Sequence, residues 1–180
     1  EEDKLFVGHH DGALCIWDIK KKMLVAEYHQ HKDMVQTIIF SQDNTRFVTA
    51  GHDGKIILWE YPSMKVLKTI NTGEDQNNFA MLAPDNTTIY YGGYYNKRYD
   101  YPTELFSAIY KVDIKNGKEM VEYKPKQDVR NMSGITDGDF DPTFKYVTWS
   151  FNGIVHYYDY KTKKVVKTIK VDYGINNFIF

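Results

Sequence analysis

The 180-residue chain has a single cysteine, five prolines and almost no net charge. The lone Cys15 excludes an internal disulfide framework and a cysteine-rich zinc site. With 23 basic and 24 acidic side chains, a formal balance of -1, the chain is neither a strongly basic nucleic-acid binder nor an acidic solvating tail. No apolar run approaches the ~18 residues of a membrane span. No charged-then-apolar leader opens the stretch, so no signal peptide is expected in it. No window carries a sustained apolar stripe of helical period, so no long helix is expected. Phosphate-cradling Gly-Lys-Ser/Thr and Gly-x-Ser-x-Gly motifs are both missing. What is present is aromatic: fifteen tyrosines and ten phenylalanines in a chain that is 42% hydrophobic. That is enough to bury a core, and it favours strands. The expectation is a soluble, cytoplasmic, all-β protein without membrane contact.

Self-comparison reveals repeats. Asp11-Gly12 followed by Trp17-Asp18 recurs 42 residues later as Asp53-Gly54 followed by Trp59-Glu60. At the same spacing Gln42-Asp43-Asn44 becomes Pro84-Asp85-Asn86, and Gly51 returns in Gly92-Gly93. At a spacing of 99, Val66-Leu67-Lys68-Thr69-Ile70 returns as Val165-Val166-Lys167-Thr168-Ile169, and Asn77-Asn78-Phe79 as Asn176-Asn177-Phe178. In the second copy, strands are predicted at 35–40, 46–50, 55–59 and 65–70, separated by turns rich in Ser, Asp, Asn, Gly and Pro. The third of these, containing Ile56-Ile57-Leu58-Trp59, is apolar on both faces, as suits a strand between two neighbouring sheets. Four short strands in a ~40-residue period is the pattern of a propeller blade.

The second copy resembles the WD40 repeat family. It reads His31-x3-Val35, Phe40-Ser41-Gln42-Asp43, Phe47-Val48-Thr49-Ala50-Gly51-His52-Asp53-Gly54 and Leu58-Trp59-Glu60. The resemblance implies a structural tetrad of His31, Thr49, Asp53 and Trp59. An imidazole, a hydroxyl, a carboxylate and an indole N–H can form one chain of donors and acceptors. The other copies depart from the pattern. Val7 replaces the hydroxyl in the first copy, which keeps Asp11, Trp17 and Asp18. Gly73, Tyr91 and Val112 stand at the His, Thr and Trp positions of the third. In the fourth, Thr148 is expected at the hydroxyl position, with Asn131, Asn152 and Tyr158 at the other three. The expected fold is an all-β propeller of four-stranded antiparallel blades. About three and a half blades are present, over 4–28 (partial), 35–70, 77–123 with an insertion at 94–105, 135–169, and 176–180 as the start of another. A segment of a larger propeller follows, commonly seven-bladed in this family. A narrower resemblance is to the i subunit of eukaryotic translation initiation factor three. It rests on Gly8-His9-His10-Asp11-Gly12, Phe47-Val48-Thr49-Ala50, Val66-Leu67-Lys68-Thr69 and Phe106-Ser107-Ala108-Ile109-Tyr110. The later glycine-rich signatures of that subfamily are absent.

Chemistry is not expected. Thr49, His31 and Asp53 are of the residue types of a nucleophilic triad, but Thr49 falls mid-strand, with neither substrate access nor an oxyanion site. His29 and His31, even with His9, His10 or His52, fall at turn positions of separate strands, so no metal site is expected. Asp33, Asp75, Asp128 and Asp172 recur before first strands and read as turn residues. Lys20–Lys22 and Lys161, Lys163, Lys164, Lys167 and Lys170 read as solvation and edge protection, so RNA contact is at most indirect. The insertion carries Tyr94, Tyr95, Lys97, Arg98, Tyr99 and Tyr101, and Tyr and Arg are favoured at interfaces. The expectation is a scaffold without cofactor, metal or small-molecule substrate, whose partners are other protein subunits of an assembly. It would be a translation initiation complex if the narrower resemblance holds. The alternatives are a purely architectural subunit and a propeller enzyme.

Overall fold

The computed structural model describes residues 3–72, 76–94, 108–123, 137–141, 143–151 and 153–171, with Tyr94 and Phe151 described by backbone alone. The described residues form strands and turns without a helix, so none could cross a membrane as a helix. The first sheet is β1 (Lys4–Gly8), β2 (Leu14–Asp18) and β3 (Met23–Tyr28). The second is β4 (Val35–Phe40), β5 (Arg46–Gly51), β6 (Lys55–Glu60) and β7 (Lys65–Asn71). The third is β8 (Gln76–Leu82), β9 (Thr88–Tyr94), β10 (Ile109–Asp113) and β11 (Glu119–Tyr123). The fourth is β12 (Asp137–Phe140), β13 (Tyr146–Phe151), β14 (Ile154–Asp159) and β15 (Lys164–Lys170). In every sheet, spatial order follows chain order, and neighbours pair antiparallel.

The turns explain why these segments stop and reverse. After β4, Asp43 accepts from the Ser41 hydroxyl at 2.6 Å, the Thr45 amide at 3.0 Å and the Thr45 hydroxyl at 2.8 Å. After β8, Asp85 accepts from the Thr87 and Thr88 amides at 2.8 and 2.9 Å. Such local bonds let short acidic side chains close a turn. Each of these turns places one residue in left-handed conformation: Asn44 and Asn86 at φ 54°, and Phe144 at φ 52° in the corresponding turn after β12. Asn tolerates that region, whereas a bulky aromatic is strained there.

The first strands β4, β8 and β12 lie side by side, and the sheets stack face to face behind them. Between the first and second sheets lie Leu14, Phe47, Ile57 and Trp59, with Phe6, Tyr28 and Phe40 at their margins. Between the second and third lie Val48, Ala50, Ile56, Leu58, Ala80, Leu82 and Ile89. Between the third and fourth lie Phe79, Met81, Tyr90, Phe140, Val147, Trp149 and Tyr158. Ile56, Ile57, Leu58 and Trp59 are all at most 1% exposed, which is what burial of both faces of β6 requires. Cys15 is a small buried residue of β2, its thiol pKa raised first by burial and then by Glu27 and Asp11. On the face of the first sheet turned away from the second, Leu5, Trp17 and Leu24 are 51%, 37% and 37% exposed.

One expectation fails. Thr148 does not occupy the hydroxyl position of the fourth sheet. Phe47 pairs with Trp59 and Thr49 with Ile57, whereas Val147 pairs with Tyr158 and Trp149 with His156. Trp149 therefore stands where Thr49 stands, and Thr148 points to the opposite face. There its hydroxyl donates to the Asp139 carbonyl at 2.7 Å. Left-handed Asn44 and Phe144 are 100 residues apart, while left-handed Gly54 and Gly153 are 99 apart. The connection from β13 to β14 is thus one residue shorter. Carrying the spacing of 99 back across it slips the register by one, and a one-residue slip exchanges the faces of a strand.

Candidate functional site

His31 lies in the connection from β3 to β4, Thr49 within β5, Asp53 in the β5–β6 turn and Trp59 within β6. Pairing of β5 with β6 and the return of the chain before β4 bring the four together. The Trp59 indole N–H donates to Thr49 Oγ1 at 3.0 Å. Thr49 Oγ1 lies 2.8 Å from His31 Nε2, and His31 Nδ1 lies 2.9 Å from Asp53 Oδ1. A carboxylate only accepts, so the His31 proton is on Nδ1, and Nε2 accepts the Thr49 hydroxyl proton. The direction of donation then runs without interruption from indole to carboxylate. The Lys32 amide donates to Asp53 Oδ2 at 3.0 Å and the Lys55 amide to Oδ1 at 3.2 Å.

Burial pushes the Asp53 pKa up, but the bonds from His31 and from the Lys32 and Lys55 amides outweigh it and hold the carboxyl below its usual range. Gly51 is part of the same construction. A Cβ there would stand 2.5 Å from His31 Nδ1 and 2.8 Å from Asp53 Oδ1, so the absence of a side chain is what lets that bond close. In the sequence Gly51 is a recurring letter within the WD40-like stretch, with no role given to it there; its place two residues after the hydroxyl, beside His52-Asp53-Gly54, is the signal that marks it.

The arrangement can hold a sheet together but has no opening for chemistry. Thr49 is 0% exposed, and its oxygen is engaged by both Trp59 and His31. No group of three or more His, Cys, Asp or Glu able to hold a metal occurs among the described residues. His29 instead pairs with Glu27 at 2.9 Å on the surface. Asp33 accepts from the Met34 amide at 2.7 Å; Asp75, Asp128 and Asp172 lie outside the described residues. Lys20 and Lys21 pair with Asp3 and Asp18, and the Lys167 ammonium sits 5.3 Å from the Tyr157 ring centroid.

The candidate partner-binding residues divide. Tyr94 ends β9, paired in register with Gln76. Tyr95, Lys97, Arg98, Tyr99 and Tyr101 lie outside the described residues, as do Gly73, Asn131, Asn152 and the segment 176–180.

The remaining sheets replace the tetrad differently. In the third, Tyr91 stacks on Tyr110 with centroids 5.3 Å apart, and its hydroxyl donates to Glu119. In the fourth, Trp149 and His156 stack with centroids 5.1 Å apart and planes within 8°. Among the described residues, Trp149 Nε1 and both His156 ring nitrogens are buried without a hydrogen-bond partner. Burial lowers the His156 pKa. Tyr158, at the position of Trp59, turns to the preceding sheet and donates to Glu122 at 3.0 Å.

Comparison with known proteins agrees with this architecture. The family model WD40 (WD domain, G-beta repeat) matches residues 22–60. No curated protein matches the chain. Among solved structures, the chain is similar to the β-propeller domain of Cps50 (Swd1) from Myceliophteria thermophila, with a TM-score of 0.73 at 20% identity. The alignment covers 96% of this chain and 54% of that one, so the chain spans about half the length of its structural neighbour. The fold is that of part of a β-propeller, and the repeat match and the neighbour support the WD40 family.

Proposed function

We propose that the chain is a non-catalytic scaffold that mediates protein–protein interaction within a multi-subunit assembly. One observation carries the reading. The hydroxyl–imidazole–carboxylate group that a catalytic account would need is sealed, with Thr49 fully buried and its oxygen bonded to Trp59 and His31. Its role is to fix the β5–β6 turn and the connection before β4. A stack of sheets held this way presents its connecting loops as a rigid set, and WD40 propellers are generally scaffolds that bind other proteins. The insertion from Tyr94 to Leu105 is the loop richest in interface residues, and on this reading it contacts a partner. Replacing Tyr95, Arg98 and Tyr99 by alanine should weaken co-purification of partner subunits without lowering the melting temperature. Undiminished recovery of those subunits would end the assignment of the loop.

A second reading is favoured by the outward face of the first sheet. Leu5, Trp17 and Leu24 are exposed together there, and Leu5 pairs across to Trp17 and Trp17 to Leu24. An architectural subunit would bury such a face in its assembly, and polar substitutions at Leu5 and Trp17 would then release it while the loop variant would not. The narrower reading, a subunit of a cytoplasmic translation initiation complex, rests on the short sequence stretches that suggested it, and no comparison adds support.

A further inference from the structure

β15 is the outermost strand of the fourth sheet and pairs with β14 alone. Its other edge carries a row of backbone donors and acceptors without a ladder partner among the described residues, and such an edge can take an added strand. Every residue of β15 except Val165 is exposed, the apolar Val166 and Ile169 included. The stretch from Tyr160 to Val171 holds five lysines, Lys161, Lys163, Lys164, Lys167 and Lys170, and no acidic residue. None of the five ammonium groups is in an ion pair among the described residues. Asp159, paired in register with Lys164, is spent on the Lys161 and Thr162 amides at 2.9 and 3.0 Å.

The outermost strands of the other sheets spend charge within the fold. In β7 the Lys68 ammonium donates to the Ile114 carbonyl of the third sheet. In β11 Glu122 pairs with Lys111 at 2.6 Å, and Glu119 accepts from the Tyr91 hydroxyl. In β3 Glu27 pairs with His29. Lys167 is the counterpart of Lys68 at the spacing of 99, yet among the described residues its ammonium meets the Tyr157 ring and no acceptor. A bulge also gathers the charge. Tyr157 pairs with Lys167 and Tyr158 with Val165, so Val166 is the extra residue. Asp159 and Tyr157 share one face of β14, so their partners Lys164 and Lys167 share it too, although they are three positions apart. Lysines along an edge repel strands of like charge; the same lysines attract an acidic one.

We propose that the free edge of β15 binds an extended acidic segment of a partner protein, which adds to the fourth sheet as a further strand with carboxylates against Lys164 and Lys167. Main-chain bonds along the edge hold the segment, and the lysines select its charge. A protein segment fits better than a nucleic acid. The edge offers donors and acceptors at strand spacing, and the chain as a whole has a formal charge of only -1, without the broad basic surface of a phosphate binder. The proposal deepens the scaffold reading and rests on it, insofar as the edge recognises a protein. It stands apart from the insertion at 94–105, which falls between β9 and β10 of the third sheet.

The test uses the intact protein and a fluorescent peptide of alternating Glu and Val, matched in length to the seven residues of β15, beside Ser-Val and Lys-Val peptides of the same length. At physiological salt the Glu-Val peptide should bind about tenfold more tightly than the Ser-Val peptide, the sum of a few exposed ion pairs. An added strand turns every second amide toward its neighbour. Two N-methylated forms of the Glu-Val peptide, each blocking one alternate set of amides, should therefore differ, one losing binding and the other keeping it. Lys164→Glu with Lys167→Glu should move the preference to the Lys-Val peptide without changing the circular dichroism. Lys115→Glu with Lys118→Glu, the same change of charge on exposed residues of the β10–β11 turn, should retain the preference for Glu-Val. Equal behaviour of the two N-methylated forms, whether both bind or neither does, would mean charge attraction without strand addition and would overturn the proposal. So would a Glu-Val preference that survives the change at Lys164 and Lys167. Tighter binding of oligouridine than of the Glu-Val peptide would make the patch a nucleic-acid surface and overturn it as well. These readouts need no partner, so their failure leaves the scaffold reading to be judged by the loop variant alone.

Discussion

The second and fourth sheets have the same strand order and the same pairing of a bulky residue with an aromatic: Phe47 with Trp59, and Val147 with Tyr158. Two residues further along the same face they part. The second sheet places Thr49 there and links it to indole, imidazole and carboxylate, so each polar atom has a partner. The fourth places Trp149 there, opposite His156, and three ring nitrogens are buried without one among the described residues. Both solutions fill the space between sheets. The first does so with a directional network whose members depend on one another; the second relies on ring area and tolerates orphaned polar atoms. Burial of the sheet faces is thus what the fold requires, and the hydrogen-bonded chain adds stability where the sequence supplies it.

The sharpest way to break this contrast is at Thr49. Thr49→Val keeps the shape but strands the Trp59 indole N–H and His31 Nε2. Each buried orphan costs about 1–3 kcal/mol, so urea unfolding should report a loss of about 3 kcal/mol with an unchanged slope. A loss below about 1 kcal/mol would mean the network contributes little beyond packing. The opposite sign is expected in the fourth sheet. His156→Phe preserves the stack on Trp149 and removes two unpartnered nitrogens, so stability should rise by about 1 kcal/mol. A fall of that size would mean the imidazole has a partner in solution.

The smallest effect is the dependence on pH. Burial holds the His156 pKa below its value in the unfolded chain. Above about pH 6.5, the ordinary histidine value, His156 is neutral in both states and contributes no slope. Below it, the unfolded chain takes up a proton that the folded one resists, and stability falls. His52, whose pKa burial lowers in the same direction while Asp33 opposes, adds to that slope. Unfolding followed from pH 7 to pH 5 should therefore be shallower in His156→Phe than in the parent, though not flat. The Asp53 contribution is separable. It is complete above the unfolded carboxyl value of about 3.9 and is lost as pH falls through the lower folded value.

Much of the second sheet was legible because its turns are marked and its strands short. The Asp43 turn, His52-Asp53-Gly54 and Pro62 delimit strands that extend by at most one residue beyond the expected limits. Alternation in β7 was also readable: Val66, Lys68 and Ile70 are more buried than Leu67 and Thr69. The fourth sheet misled at Thr148, since a threonine near the expected position outweighed the count along the strand. The Phe144–Lys145–Tyr146 turn, matched against Asn44, would have restored that count. A small cavity beside Ile39, Leu82, Asp139 and Phe140 was illegible for a different reason. Its walls come from three first strands about 40 to 100 residues apart in a repeat chain, and no local pattern brings Ile39, Leu82 and Asp139 together.

The described sheets touch by their faces, and no backbone ladder runs from one into the next. Individual ties such as Asn86 Nδ2 to Asp43 Oδ2 at 2.9 Å bridge neighbours without fixing a shared register. Error is therefore contained. The residue missing between β13 and β14 is absorbed within one hairpin, and Phe79 and Met81 still meet Trp149 and Tyr158 across the gap. A chain assembled this way can lose or gain letters in one repeat while the others keep their geometry, so that sheets of one strand order hold different interiors.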